Sequence, residues 1–192
     1  MTRRYDASVE AAPALAVFEA RGRDAGLSAG LATAGLTMPE AAGMMLRQPD
    51  GAEVLRLGPR RVLVLADGEL EAQLGPALAR GFSQVPDADV ALVSDMVCVF
   101  DLGGVGAEDI LAQGAPLDLS KRAFPEGTGT GTELWGATVI LIRRAGRSPG
   151  FRIIVERSFA GFIEDWLAVA SGEASTLRPG VMAAPPPSWK PS

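Results

Sequence analysis

Apolar residues recur along the chain at two spacings, every second position and every third or fourth position, and these spacings predict its strands and helices. In the first half, residues 53–66 hold two apolar runs on either side of Gly58-Pro59-Arg60-Arg61, which is the pattern of a β-hairpin. An apolar residue then recurs every fourth position up to Phe82, which predicts a helix capped by Asp67. A strand at residues 15–21 and a helix at residues 28–36, capped by Ser28, are predicted before the hairpin.

The second half follows the same order. Residues 90–102 form a long β-prone run that is interrupted at Ser94-Asp95 and ended by Gly103-Gly104. A short helix at residues 107–113 and a brief extended piece at residues 116–119 follow. The segments 137–143 and 151–155 predict a second hairpin, and Ser158 precedes the strongest helical pattern, whose apolar face runs from Phe159 to Ala170 and which Gly172 ends.

Each half therefore has the order β-α-ββ-α. This predicts an α/β (α+β) fold of two pseudo-duplicated units, with a mixed, largely antiparallel sheet and helices packed on it. Identity between the halves is negligible, so the duplication is a prediction about shape only. We expect a polar lead-in at residues 1–13, a single domain at residues 14–172 and a Pro-rich tail at residues 173–192.

Composition narrows the class of protein. The chain has 192 residues, 47% of them hydrophobic and 21% charged, which suits one folded domain. Its net charge of -5 disfavours a nucleic-acid partner. The sequence shows no signal peptide, and no apolar run approaches the roughly 20 residues that span a bilayer, so we expect a cytoplasmic protein without a membrane partner.

The residues that usually carry catalysis and metal binding are scarce. The chain has no histidine and one cysteine, Cys98, which lies in an apolar run and is expected to be a buried core thiol. Without histidine, imidazole bases, His-based triads and nearly all zinc sites are excluded. We therefore predict no catalytic residue and no metal site in this chain.

The remaining motifs are weak. The glycine-threonine stretch at residues 127–132 is predicted to be a loop, and Gly103-Gly104-Val105-Gly106 lacks the full spacing of a dinucleotide site. The arginine pairs at 60–61 and 143–144 lie at strand ends, where solvated faces or salt bridges to a partner explain them. The carboxylates nearest β-structure, which are Asp95, Asp101 and Asp118, are expected at edges or turns.

Four segments carry a family resemblance. In chain order they are Leu57-Gly58-Pro59 before residues 62–65, residues 111–114 with Pro116-Leu117-Asp118-Leu119, residues 139–143, and Arg157-Ser158-Phe159-Ala160 followed by Trp166-Leu167. The last is the most specific, and together they resemble the gamma subunits of heterotetrameric sarcosine oxidase. Where the family usually has an acidic residue and a tryptophan after its Leu-Gly-Pro, this chain has Arg60-Arg61.

The resemblance implies a fold like the folate-binding domain of aminomethyltransferases and a complex with alpha, beta and delta subunits. In that family the other subunits carry FAD, FMN, NAD, tetrahydrofolate and zinc, and no cofactor is expected on this chain. The implied function is that of a small non-catalytic structural subunit of a flavin-dependent oxidase or dehydrogenase. Such complexes demethylate N-methylated amino acids such as sarcosine or dimethylglycine.

Two alternatives stay open. Asp118 lies where folate-using relatives of the fold have a functional aspartate, which would make the chain a folate-binding, aminomethyltransferase-like protein. The chain could also be a generic interaction module. For contact with partner subunits we select Arg60, Arg61, Arg157 and Trp189, the last as an apolar anchor on the Pro-rich tail.

Overall fold

The computed structural model describes residues 5–12, 14–145 and 150–172. Within these residues the strands are β1 (Ser8–Ala11), β2 (Leu15–Gly22), β3 (Met45–Arg47), β4 (Glu53–Gly58), β5 (Arg61–Asp67), β6 (Ala88–Leu92), β7 (Val97–Gly103), β8 (Thr128–Leu134), β9 (Ala137–Arg144) and β10 (Gly150–Glu156). The α-helices are α1 (Asp24–Thr33), α2 (Glu71–Phe82), α3 (Ala107–Leu111) and α4 (Ala160–Ser171). Short 3-10 helices lie at Gly68–Leu70, Ser94–Met96 and Arg157–Phe159.

The strands form two five-stranded sheets with the same internal order. The first sheet runs β3-β4-β5-β2-β6 and the second runs β8-β9-β10-β7-β1, and the paired strands are antiparallel. Each central hairpin is followed by a 3-10 helix and then an α-helix. The outermost strand differs in origin, because β6 follows α2 whereas β1 comes from the N-terminal segment. The predicted pseudo-duplicated α/β fold is confirmed, with two antiparallel sheets, and β1 of the first half joins the second sheet.

Three clusters of buried apolar residues show how the helices and the two sheets are layered. One packs α1 and α2 against the first sheet, another packs α3 and α4 against the second, and the third lies between the two sheets. Successive residues of a strand point to opposite faces of its sheet and so belong to different clusters. In β2, for example, Phe18 belongs to the cluster on the helix side and its neighbour Val17 belongs to the cluster between the sheets. The domain is therefore a four-layer α/β/β/α sandwich.

The β-prone run at residues 90–102 is shared by the two sheets. Its first part is β6 and its last part is β7, and the 3-10 helix Ser94–Met96 lies at the predicted interruption. The Val17 amide donates to Ser94 Oγ at 3.0 Å, which holds this crossing against the first sheet. The expected extended piece at residues 116–119 is not a strand, and part of the expected lead-in is β1.

Three predicted helix caps were wrong. Ser28 lies inside α1, which begins at Asp24, and neither Asp67 nor Ser158 caps a helix with its side chain. For Asp67 and Ser158 the physical reason is that β5 and β10 each lead into a 3-10 helix before the α-helix begins. Ser158 Oγ donates instead to Glu156 Oε1 at 3.0 Å. The same geometry leaves Phe159 44% exposed, outside the buried face predicted for it.

The glycine-threonine stretch is a strand and not a loop, which corrects the prediction. Residues Thr128–Leu134 form β8 at the edge of the second sheet, paired with β9 along its whole length. Threonine alternates with glycine here, and β-branched residues favour extended backbone. A Cβ on Gly129 would lie 2.9 Å from the Leu55 side chain, so the glycine lets the two sheets approach closely.

Candidate functional site

Asp118 lies in the loop after α3 and stabilises a turn. Its Oδ1 accepts a hydrogen bond from the Ser120 amide at 2.9 Å, and its side chain is exposed. The hydrogen bond from the Ser120 backbone, assisted by the Ser120 side chain, lowers the pKa of Asp118 below its ordinary value. A carboxyl group that ionises more readily than usual is poorly suited to act as a general base. The geometry thus gives Asp118 a local structural role.

The residue after Asp118 is held by a buried arginine. Arg143 of β9 is 5% exposed, its Nη1 donates to Glu108 Oε1 at 2.8 Å, and its Nη2 donates to the Leu119 carbonyl. The guanidinium lies 4.6 Å from the ring centroid of Phe151, which is stacked with Phe124. Arg143 therefore fastens α3 and its following loop to the second sheet. We call this arrangement the arginine clamp.

The first half contains a second arginine clamp. Arg56 of β4 donates to Asp24 Oδ1 at 2.5 Å in the first turn of α1, and to the carbonyls of Pro39 and Glu40 in the loop after that helix. Arg56 and Arg143 occupy matching strands, and both have a buried Nε without a hydrogen-bond partner among the described residues. The duplication thus extends from the fold to a particular side-chain arrangement.

A cavity of about 580 Å³ adjoins the Arg143 clamp. It brings together two weak motifs of the sequence, Gly103-Gly104 and the arginine pair Arg143-Arg144. Arg143 is paired with Glu108, and Arg144 is paired at 3.1 Å with Asp101, which it shares with Arg152, so each guanidinium already has a carboxylate partner. Because α3 has only 5 residues, the loop before it does not form the strand-to-helix cradle of a dinucleotide site.

A buried ion pair lies at the edge between the sheets. Arg152 of β10 donates twice to Asp101 of β7, with both distances 2.8 Å, and Arg144 binds the same carboxylate. Burial opposes the charged form of Arg152, but the hydrogen bond and charge of Asp101 outweigh it and raise the pKa of Arg152 above its usual range. Glu53 and Asp67 of the first sheet add to this effect, so the pair also couples the two sheets electrostatically.

The residues selected for partner contact lie far apart. Arg60 is exposed in the turn between β4 and β5, and Arg61 begins β5, where its Nε donates to Glu19 Oε1 at 2.8 Å. Arg157 lies near the opposite end of β5, about 20 Å away, beside the groove that Gly68 also lines. Its Nε donates to the Asp95 carbonyl at 2.6 Å. Trp189 and the Pro-rich tail lie outside the described residues.

The pairing of Glu19 with arginines predicts a pH effect on stability. Burial raises the pKa of Glu19, but hydrogen bonds from Arg21 and Arg61 outweigh it and hold the pKa below its ordinary value. The native state therefore binds this proton less readily than the unfolded state, and the stabilisation is present at neutral pH and lost on acidification. We expect Glu19→Gln to lower the free energy of unfolding by roughly 1 kcal/mol at pH 7.

This difference should shrink toward about pH 3. Urea unfolding of both proteins across a pH series measures it, with Glu69→Gln, an exposed carboxylate outside the ion pairs of the described residues, as the control. A difference between wild type and Glu19→Gln that grew on acidification would contradict the assignment.

Sequence reasoning missed the two buried arginines of the second sheet. Arg143 was expected to be solvated or paired with a partner, and the structure corrects this, because period-two alternation places Arg143 on the buried face with Val139 and Leu141. Arg152 lies on the face opposite Phe151 and Ile153, which is the face of Ile154 between the sheets. Strict alternation was the available signal for both residues.

The expectation for Cys98 also needs correction. The thiol is half-buried rather than fully buried, because it packs against the core of the second sheet from the side that lines a groove of about 650 Å³. Among the described residues, no group of three or more potential ligands could hold a metal ion. None of the helices in the described ranges is long and apolar enough to cross a membrane.

The fold is that of an aminomethyltransferase-like α/β domain. The structure of glycine cleavage system aminomethyltransferase T from Bartonella henselae matches it with a TM-score of 0.62 at 17% identity, over 86% of this chain and 46% of that one. At such low identity the match shows the fold alone.

Closer relatives identify the family. Residues 11–173 match the family described as sarcosine oxidase, gamma subunit. A sarcosine oxidase subunit gamma from Corynebacterium sp. (strain P-1) is 32% identical over 141 residues, which are 72% of this chain and 66% of the relative. A chain of heterotetrameric sarcosine oxidase from Corynebacterium sp. U-96, solved with pyrrole 2-carboxylate, matches with a TM-score of 0.78 and 27% identity, over 90% of this chain and 87% of that chain. The chain belongs to the sarcosine oxidase gamma subunit family.

Proposed function

We propose that this chain is a small non-catalytic subunit of a multi-subunit, flavin-dependent oxidase or dehydrogenase that demethylates N-methylated amino acids. The observation that carries the proposal is the match of residues 11–173 to the gamma subunit family, together with the structural match to a chain of a heterotetrameric sarcosine oxidase. Its partners are then alpha, beta and delta subunits. These hold FAD, FMN, NAD, tetrahydrofolate and zinc, and this chain contributes to assembly in the cytoplasm.

The chemistry of the chain supports a structural role. It has no histidine, and its buried arginines and their carboxylates are bound to one another or to backbone carbonyls. Groups held in this way fasten helices and sheets together. The domain end at residue 172 and the separate tail at 173–192 remain part of the proposal, whereas β1 extends the domain beyond residue 14 to Ser8.

Purification of the tagged full-length chain from its producing cells tests the proposal. We expect stoichiometric co-purification of larger subunits that carry flavin and that oxidise an N-methylated amino acid. The full-length chain expressed alone should bind neither flavin nor tetrahydrofolate. Recovery of the chain without any flavin-carrying subunit would refute the proposal.

The folate-binding alternative has one supporting observation, which is the fold shared with an aminomethyltransferase. This alternative requires Asp118 to act in folate binding, whereas in our proposal Asp118 only stabilises a turn. In the assembled complex we expect Asp118→Ala to leave kcat and KM for the amine within about twofold of wild type. Asp109→Ala, an exposed carboxylate of α3, is the matched control. Tetrahydrofolate binding by the lone chain, abolished by Asp118→Ala, would establish the alternative.

A further inference from the structure

Two connected grooves lie on one side of the molecule. The larger, of about 650 Å³, opens between the ends of the two sheets and has an apolar wall that includes Val17, Val97 and Cys98. The smaller, of about 510 Å³, lies between α2 and β6. Gly68 and Glu71 line both grooves, so the two form one continuous surface. We call this surface the groove face.

Large apolar side chains are exposed around the groove face. Leu92 lines the smaller groove and is 48% exposed, Met96 is 62% exposed and Phe159 is 44% exposed. Met96 lies between Asp95 and Val97 in the chain, and Phe159 precedes Ala160; these three neighbours line the larger groove. The hydrogen bond from Arg157 to the Asp95 carbonyl joins the two segments. Three of the six large apolar residues that are most exposed in the described chain thus border one surface. Such clustering marks an interaction site.

The rim of the groove face is acidic. Glu71, Asp95 and Glu164 line the larger groove, and none of them has an ion-pair partner among the described residues. The one arginine there, Arg157, donates to backbone carbonyls. Elsewhere the half-buried carboxylates Glu19 and Asp101 are bound by arginines. The groove face therefore combines an apolar floor with an unbalanced negative rim.

We propose that the groove face is the docking surface for a flavin-carrying partner subunit, which inserts an apolar side chain flanked by Arg or Lys. The inference rests on the proposed function and assigns its assembly role to a particular face. Positive residues on the partner would complement the rim. A second copy of this chain fits poorly, because a two-fold contact would bring the two acidic rims together.

Charge and apolar variants test the docking surface in the assembled complex. Met96→Asp and Phe159→Asp should each reduce co-purification of the partner subunits about tenfold or more, as expected for hot-spot residues. Reversal of the rim charge in Glu164→Arg should weaken assembly in the same direction. Met44→Asp is the matched control, because Met44 is 46% exposed, forms a β-bridge with Thr128 and does not line either groove. Thermal unfolding of each chain alone should match wild type.

Labelling of the Cys98 thiol tests the docking surface independently, because Cys98 is the only cysteine of the chain and lines the larger groove. Thiol labelling, quantified on the peptide that contains Cys98, should be about tenfold slower in the complex than in the lone full-length chain. A chain ending at Gly172 should label at the full-length rate. Faster labelling after this truncation would mean that residues 173–192 occupy the groove, and would overturn the proposal.

These experiments distinguish a failure of the docking surface from a failure of the proposed function. If the wild-type complex forms and Met96→Asp and Phe159→Asp assemble normally, the docking surface is wrong and the proposed function stands. If the wild-type chain binds no flavin-carrying subunit, both are wrong. Protection of Cys98 in a homodimer of this chain would assign the groove face to self-association and overturn the proposal.

Discussion

Replacing Arg143 by alanine will lower the free energy of unfolding by about 3 kcal/mol. The variant loses the hydrogen bonds from Arg143 to Glu108 and to the Leu119 carbonyl, and it loses the packing of the guanidinium on Phe151. A charge-assisted hydrogen bond contributes about 1.5 to 3 kcal/mol, and the Leu119 carbonyl would be left without its donor. Because Leu119 is buried, that carbonyl has little access to replacement water.

Urea unfolding of the full-length chain measures the loss of stability in Arg143→Ala. Two further variants serve as comparisons. Arg60→Ala, at an exposed turn, should change stability by less than about 0.5 kcal/mol. Arg56→Ala should also lower stability, because Arg56 joins Asp24 of α1 and the carbonyls of Pro39 and Glu40 to β4. An Arg143→Ala variant as stable as Arg60→Ala would show that the clamp contributes nothing.

The order of elements could be predicted from the sequence because the apolar spacing is strong in both hairpins and in α2 and α4. Two of the edge strands could not be predicted in this way. Ser8–Ala11 and Thr128–Leu134 are edge strands, half polar or glycine-rich, and only their pairing with β7 and β9 makes them strands. Such segments gain their structure from tertiary contacts, which local propensity does not record.

The candidate sites show the same limit. Asp118 could be selected from a family resemblance, but its exposure and its hydrogen bond from Ser120 depend on how the loop after α3 turns. Arg143 and Arg152 are charged residues in strand patterns, and their burial follows from alternation plus partners that lie 35 and 51 residues away. A sequence without an alignment gives no means to connect residues at such distances.

Replacing Asp101 by alanine will lower the free energy of unfolding by about 3 kcal/mol, since it leaves a buried guanidinium without its counter-ion. The Arg152 side chain is 10% exposed, and both of its hydrogen bonds to a carboxylate go to Asp101. Removal of one partner from a buried pair costs more than removal of both, because an unpaired buried charge keeps its desolvation penalty. Asp95→Ala, at an exposed carboxylate of the groove face, is the matched control.

The double variant Asp101→Val/Arg152→Leu distinguishes a desolvation penalty from a simple loss of contacts. The position of Arg152 faces the inter-sheet cluster with Ile154, so leucine extends an apolar surface that already exists. We expect the double variant to be more stable than Asp101→Val alone by at least about 1 kcal/mol, with a coupling energy of similar size in the double-mutant cycle that Arg152→Leu alone completes. If the losses add instead, Asp101 and Arg152 act independently, and the ion pair does not join β7 to β10.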